Sequence, residues 1–446
     1  MNIPLHEELN SKQMRRVIYA LALPIVGTHL LLRGVGIVDT AMVGHISAEA
    51  QAAVGMAQWI LNMLLAILQA VTVGGTVLVA KYTGAGDTDN RKASADTAFW
   101  TGIISAVVMA LVGVIIVRPI TAAMGAETAL SDRVNSYMMI LCLFFVSRGT
   151  IVIVSGIFQG YGDTKTPFRV IVGVNAVHFL LAFPLTFGYF GFPRMEIKGV
   201  ALATGISESL GALALTYLAA RKDLLCFKCV SLKTFKDIFL LGFPVFIERL
   251  STTVMQMAYT RLVLLTSVAA FAAHSVGMMI EAVSFLPGFG FAQAATTLVG
   301  QNLGAKDPEK ARKFSNQALY IGLAFMGMLG LSFWLFPILW MRLFSNDPQV
   351  IDYGVLFCKF ATVIQIPLAF SMILSGSLRG AGQTRWVMYS SLIGAWAVRI
   401  PVAYVLQEFF GLGIFYIWLA MPLDWGARSI LMYIKYSGPK WSGRVD

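Results

Sequence analysis

The sequence predicts an all-α membrane protein of twelve transmembrane helices, arranged as two six-helix lobes that repeat in parallel. Three observations carry the prediction. The first is composition: 57% of the residues are hydrophobic and only 13% charged, whereas soluble domains carry about 25% charged residues. Such a chain belongs in a bilayer. The second is an internal repeat at a constant spacing of 220 residues. Leu21 and Pro24 recur as Leu241 and Pro244, the Gly84-Ala85-Gly86-Asp87 turn recurs as Gly304-Ala305-Lys306-Asp307, and Gly156, Gly160, Gly162 and Thr164 recur as Gly376, Gly380, Gly382 and Thr384. The third is the presence of twelve apolar stretches, each near the roughly 20 residues that a spanning helix needs. Six spans per half is an even number, so both halves begin on the same side of the membrane, as parallel repeats do.

Each stretch can be placed in order. The first, near 17–43, contains Pro24, Gly27, Gly34, Gly36 and, deep in an apolar run, Asp39. The second, 52–80, ends in the Gly84 to Asp87 turn, whose residues suit a tight connection. The third is 95–117. The fourth, 134–157, holds Cys142 and Arg148 and runs into the Gly160-Tyr161-Gly162-Asp163 turn. The fifth, 168–190, contributes Asn175 and His178, and the sixth, 199–220, contributes Thr204 and Glu208. The expected domains are therefore an N-lobe over 1–220, a linker over 221–236 and a C-lobe over 237–446. In the C-lobe, 238–265 holds Glu248, Arg249, Tyr259 and Arg261; 270–299 holds His274 and Glu281; 315–338 is apolar; 350–374 holds Cys358 and Lys359; 386–407 holds Arg399; and 412–434 holds Asp424 and Arg428.

Charge orients the chain. With a cytoplasmic N-terminus, Lys12, Arg15, Arg16, Arg91, Lys92, Lys306, Lys310, Arg312 and Lys313 all fall inside, while the opposite face holds Arg118, Arg133, Arg194, Lys198 and Arg342. The positive-inside rule thus places both termini in the cytoplasm of a cell (inner) membrane protein. The net charge of +11 is accounted for by anionic lipid head groups at that face, and no nucleic-acid pattern accompanies it. Residues 1–16 are polar with no cleavage site after the first apolar run, which reads as an uncleaved first helix.

Several chemistries are disfavoured. The glycine turns lack the spacing of a phosphate-binding loop. Cys226 and Cys229 form a C-x-x-C in the linker, but a zinc site needs two further ligands and the reducing cytosol disfavours a disulfide. No nucleophile elbow, paired His and acid motif or metal cluster is visible, so neither an enzyme nor a bound cofactor is expected.

The informative residues are ionisable groups inside spans, which usually face a bundle interior or a water-filled cavity. Asp39 stands out because its repeat mate is Tyr259: a residue needed only for folding would be expected in both halves. A carboxyl group in a low-dielectric site suits proton uptake and release. Asp424 and Arg428, four apart, fit a helix-local ion pair. Glu281 and Arg399 could pair between helices, and with Glu248, Met42 and Tyr259 they are candidates to line a substrate cavity.

Leu21 to Pro24, Val38 to His45, Glu281 to Gly290, Ala295 to Ala305 and Leu378 to Gly382 resemble the multidrug and toxic compound extrusion (MATE) family, in the right order over nearly the whole chain. The resemblance implies a V-shaped pair of six-helix lobes that exports organic, often cationic, compounds in exchange for H⁺ or Na⁺. It also assigns Asp39 and Thr204 to the cation site of the N-lobe. Where relatives carry an Asn followed four residues later by an Asp, this chain offers His178 and Ala182, with Asn175 one turn earlier. A hard cation prefers several oxygen ligands, so H⁺ is favoured over Na⁺. No acid lies between Val355 and Leu374, which leaves Glu248 as the C-lobe candidate. The expected partners are small organic cations or drugs and membrane lipid, handled by a monomer. The alternative function is a flippase for lipids or lipid-linked precursors.

Overall fold

The computed structural model describes residues 9–408 and 413–442; the first residue of the stretch expected over 412–434 lies outside them. All regular structure among these residues is helical. The chain runs through α1 (Ser11–Gly44), α2 (Ala48–Gly84), α3 (Thr88–Ala123), α4 (Thr128–Leu143), α5 (Phe145–Tyr161), α6 (Lys165–Phe187) and α7 (Ile197–Arg221). It continues through α8 (Leu232–Leu264), α9 (Val268–Gly304), α10 (Pro308–Leu335), the short α11 (Pro337–Arg342), α12 (Pro348–Gly380), α13 (Thr384–Leu392), a π-helical turn (Ile393–Arg399), α14 (Ile400–Glu408) and α15 (Ile414–Ser437). Among the described residues, ten helical segments are individually long and apolar enough to cross a bilayer, and α4 with α5, bent by 53°, are so when taken together. The twelfth expected crossing is α15, a 24-residue helix that buries Asp424 and Arg428 in its middle.

The repeat is built into the hydrogen bonds. Ser47 caps α2 by accepting from the Ala50 amide at 3.1 Å, and Ser267 caps α9 by accepting from Ala270 at 3.1 Å. Asp87 caps α3 through the Asn90 amide and Asp307 caps α10 through the Lys310 amide. Such caps satisfy backbone donors that a helix start leaves open. Inside each lobe, Thr76 donates to the Gly156 carbonyl at 3.0 Å, and Thr296 donates to the Gly376 carbonyl at 2.8 Å. The two helix pairs are held close by glycine: a Cβ at Gly376 would collide with the Ala292 backbone, and one at Gly380 with the Thr296 carbonyl.

The compact units do not divide where the sequence suggests. One unit is Gly27–Gly242; the other joins the described residues up to Val26 to those from Phe243 onward. The first half of α1 therefore belongs to the second unit, where Val17, Ile18, Leu21 and Ala22 pack with Phe291, Leu298 and Leu374, and the start of α8 belongs to the first unit. Relative to the expected lobes at 1–220 and 237–446, these compact units differ by the first half of α1 and by the linker with the start of α8. Both handovers fall beside the repeated prolines Pro24 and Pro244. A proline removes one backbone bond from its helix, yet α1 and α8 each run through theirs without interruption.

Candidate functional site

In the first unit the second half of α1 packs Asp39 inward, where it is 7% exposed. Its carboxylate Oδ1 lies 2.8 Å from Nε2 of His178 on α6, itself 2% exposed. A proton must sit between these atoms, either on the imidazole donating to a carboxylate or on the carboxyl group donating to a neutral ring. The pair can hold one proton or two, and the two states differ by a whole charge in a place without bulk water. His178 Nδ1 has no hydrogen-bond partner among the described residues, nor does Nδ2 of the buried Asn175 one turn earlier. Thr204 on α7 is buried and donates to the Val200 carbonyl of its own helix at 3.0 Å, so its hydroxyl is committed to the backbone here. Arg148 and Glu208 pair beside the site at 3.0 Å. Met42 packs with Ala182, Leu185 and Ala203, which makes it part of an apolar wall of this unit.

The second unit departs from expectation. Arg399 does not pair with Glu281: its Nε lies 2.7 Å from Asp424 Oδ2. Asp424 also binds Arg428, with contacts of 2.5 and 3.0 Å, so the helix-local pair is present but shared with a third ion. Glu281 is 1% exposed and Tyr259 fully buried, with the Tyr259 hydroxyl donating to the Ile417 carbonyl at 2.8 Å. Glu281, Arg399 and Tyr259 are thus all buried within the second unit. Glu248 is not a free acid: both its oxygens accept from Arg379 Nη2 at 2.8 Å, and Ser391 donates to Oε1 at 3.2 Å. That pairing weakens its candidacy as a cation site.

The repeat register explains how these groups come together. Buried positions of α7 and α15 match at a spacing of 220, so Asp424 takes the place of Thr204 and Arg428 that of Glu208. From α13 into the π-helical turn the match is also 220, Val387 standing for Pro167 and Ala395 for Asn175. From the last residue of the π-helical turn it becomes 221, with Arg399 in the place of His178 and Ala403 in that of Ala182. A π-turn takes up one extra residue, and such turns are frequent at functional sites.

Asp96 escaped the sequence reading. Fully buried near the start of α3, its carboxylate accepts from the amides of Cys226, Lys228 and Cys229 at 2.9 to 3.1 Å, pinning the linker. An acid at the head of an apolar run was the available signal. Burial pushes the Cys226 thiol up, which favours an inert cysteine, and no group of three metal-ligating side chains occurs among the described residues.

The MatE family model matches residues 24–184 and 244–405, one stretch in each half. The chain is 32% identical over 448 residues to a probable multidrug resistance protein NorM of Thermotoga maritima, covering 97% of this chain and 94% of that one. It is 27% identical over 427 residues to the multidrug resistance protein NorM of Burkholderia vietnamiensis, covering 92% and 91%. A crystal structure of a mutant of the Vibrio cholerae MATE transporter VcmN superposes with a TM-score of 0.90 at 17% identity, covering 98% of this chain and 99% of that one. Two family matches in repeat register, a relative alike over its whole length and a shared helical fold establish that this chain belongs to the MATE family of membrane transporters.

Proposed function

We propose that the protein is a secondary antiporter that exports organic, often cationic, compounds in exchange for H⁺, with Asp39 as the coupling acid and His178 as its proton partner. The observation that carries the proposal is the buried Asp39 to His178 contact of 2.8 Å. It is held in a unit that α1 enters just beyond Pro24. When the pair gains a proton from outside, the charge of the site changes, and the lobe can release a cation that the ionised state attracted. Names of relatives support the substrate class, since NorM proteins are described as multidrug resistance proteins. Coupling to H⁺ rather than Na⁺ is supported by the imidazole beside Asp39 and by Ala182 on the same helix, which offers no second carboxylate. An orientation with cytoplasmic termini is supported at one end of the first unit, where the turns after α2 and α5 meet the linker. There Lys92 pairs with Asp223 and Lys222 with Asp163. We take the transporter to act as a monomer.

The test is efflux of a fluorescent organic cation from proteoliposomes under an imposed pH gradient or, separately, an imposed Na⁺ gradient. Asp39→Asn should bind the dye but lose gradient-driven efflux by at least about tenfold, the scale expected when the group that exchanges the proton is gone. Efflux that still follows the pH gradient in that variant would move coupling elsewhere.

A further inference from the structure

At the places where the first unit keeps Asp39, His178, Thr204 and Glu208, the second unit keeps Tyr259, Arg399, Asp424 and Arg428. It thus holds its own buried ion cluster, with charges distributed differently. Counting charges exposes an imbalance. Asp424 is fully buried and, among the described residues, is the only acid in contact with both guanidinium groups, so this trio carries one positive charge too many for an apolar interior. Glu281, from α9, is the missing acid. It is 1% exposed, and neither of its oxygens has a hydrogen-bond partner among the described residues. Arg399 is in the complementary state: its Nη2 has no partner among those residues, and its Nε, though 2.7 Å from Asp424, is not aligned to hydrogen bond. Arg399 reaches the same buried layer: its guanidinium lies 5.5 Å from the Tyr259 ring, and that ring is 5.8 Å from His274, two turns before Glu281 on α9. An unpaired buried carboxylate is costly, and so is a guanidinium sharing one acid with another.

We propose that Glu281 is a second proton-binding group, located in the C-terminal unit, and that Arg399 is the counter-ion that holds its ionised form. Two states follow. With Glu281 protonated, Arg399 stays beside Asp424, as observed. When the Glu281 carboxyl group gives its proton to water, Arg399 swings to the carboxylate, and Asp424 keeps the two donors of Arg428. Both guanidinium groups stay charged throughout, and the charge of the lobe falls by one. The other groups around Glu281 do not supply a competing cation. Tyr259 comes from α8, and His274, two turns before Glu281 on the same face of α9, accepts from Trp418 through Nδ1 at 3.2 Å. On α10 and α12, Met326, Met372 and Phe357 meet this part of α9 at Gly288 and Gly277. Arg399 is the last residue of the π-helical turn, closed by the Ile400 amide donating to the Ala395 carbonyl, and a widened turn offers the slack that a change of partner requires. Trp425 stacks 5.8 Å from the Arg399 guanidinium and 4.8 Å from that of Arg428, so it shields the cations in either arrangement.

Infrared difference spectra of the full-length protein in lipid nanodiscs, recorded between acidic and alkaline buffer, test this directly. Wild-type protein should show a protonated carboxyl band that disappears on alkalinisation. Glu281→Gln should lack that component, whereas Asp39→Asn should retain it, which separates this proton from the one assigned to Asp39. Arg399→Met, in which the carboxylate has no cation to receive it, should keep the band at alkaline pH. A purely structural Glu281 would leave the spectra of wild type and Glu281→Gln alike, and that result overturns the proposal, as does a band indifferent to Arg399→Met. If Glu281→Gln does not yield folded protein, Glu281→Asp serves: a displaced pH-sensitive band supports the site and an unchanged one removes it.

Discussion

Asp163 lies in the turn between α5 and α6, where the Lys222 ammonium and both the amide and hydroxyl of Thr166 donate to its carboxylate. Burial pushes the carboxyl group up, but these donors outweigh it and hold Asp163 below the usual carboxylate range. A lowered folded-state value means stability that is complete above the ordinary value and lost as pH falls through the depressed one. Asp163→Asn should therefore cost about 1 to 3 kcal/mol near neutral pH, the scale of charged hydrogen bonds. The gap in melting temperature in detergent should begin to close only as the pH falls below about 4, the ordinary carboxylate value, and vanish below the depressed one. Equal melting at neutral pH would show that the linker contact contributes nothing. Asp39 shows the opposite case at the same scale. Its asymmetry was legible because the repeat gave it a tyrosine mate, but its partner was less so: His178 lies 139 residues away, and only packing brings the two together.

Among the elements, the π-helical turn Ile393–Arg399 is the one with the most specific consequence. Between Thr384 and Ala403 this helix has one residue more than α6 has between the matching Thr164 and Ala182, and the widened turn hides that residue so that Arg399 still faces Asp424. Deleting the exposed Ala397 should convert the turn to ordinary α-helix, leave Arg399 on the same face and change the melting temperature little. Inserting an alanine after Ala397 should rotate Arg399 by about 100° away from Asp424. Breaking a buried ion pair costs about 3 to 5 kcal/mol, so the insertion should melt far lower. If the deletion proved as damaging as the insertion, the register argument would be wrong. A fixed spacing of 220 residues pairs His178 with Val398, so the sequence alone could not reveal the match with Arg399.

For the whole molecule, the exchange of α1 and α8 between the units decides which pieces can stand alone. A fragment of residues 237–446 lacks the first half of α1 and so leaves Phe291, Leu298 and Leu374 without Val17, Ile18 and Leu21 against them. In a bilayer such association rests on packing contacts, and lipid tails fill such a groove poorly. The fragment expressed alone should be polydisperse by size-exclusion chromatography, whereas coexpression with 1–236 should restore one sharp species. A monodisperse 237–446 fragment would show that the second unit does not need α1.

The sequence by itself determined the membrane class, the helical architecture, the duplication and the asymmetric acid at residue 39. These depend on apolar length, on turn and cap residues and on spacing along the chain, all of which are local or periodic. Tertiary structure decided what lies beyond the reach of periodicity. It joined Asp39 to His178, gave Asp424 rather than Glu281 to Arg399, tied Glu248 to Arg379, fastened the linker to Asp96 and handed the first half of α1 to the other unit. Each of these is a choice among several buried charges or apolar faces that the sequence leaves equally available. The physical reason is that a buried ion is settled by whichever opposite charge or donor the packed helices bring within about 3 Å. That distance depends on how helices are rotated against one another, down to the single extra residue in a π-turn.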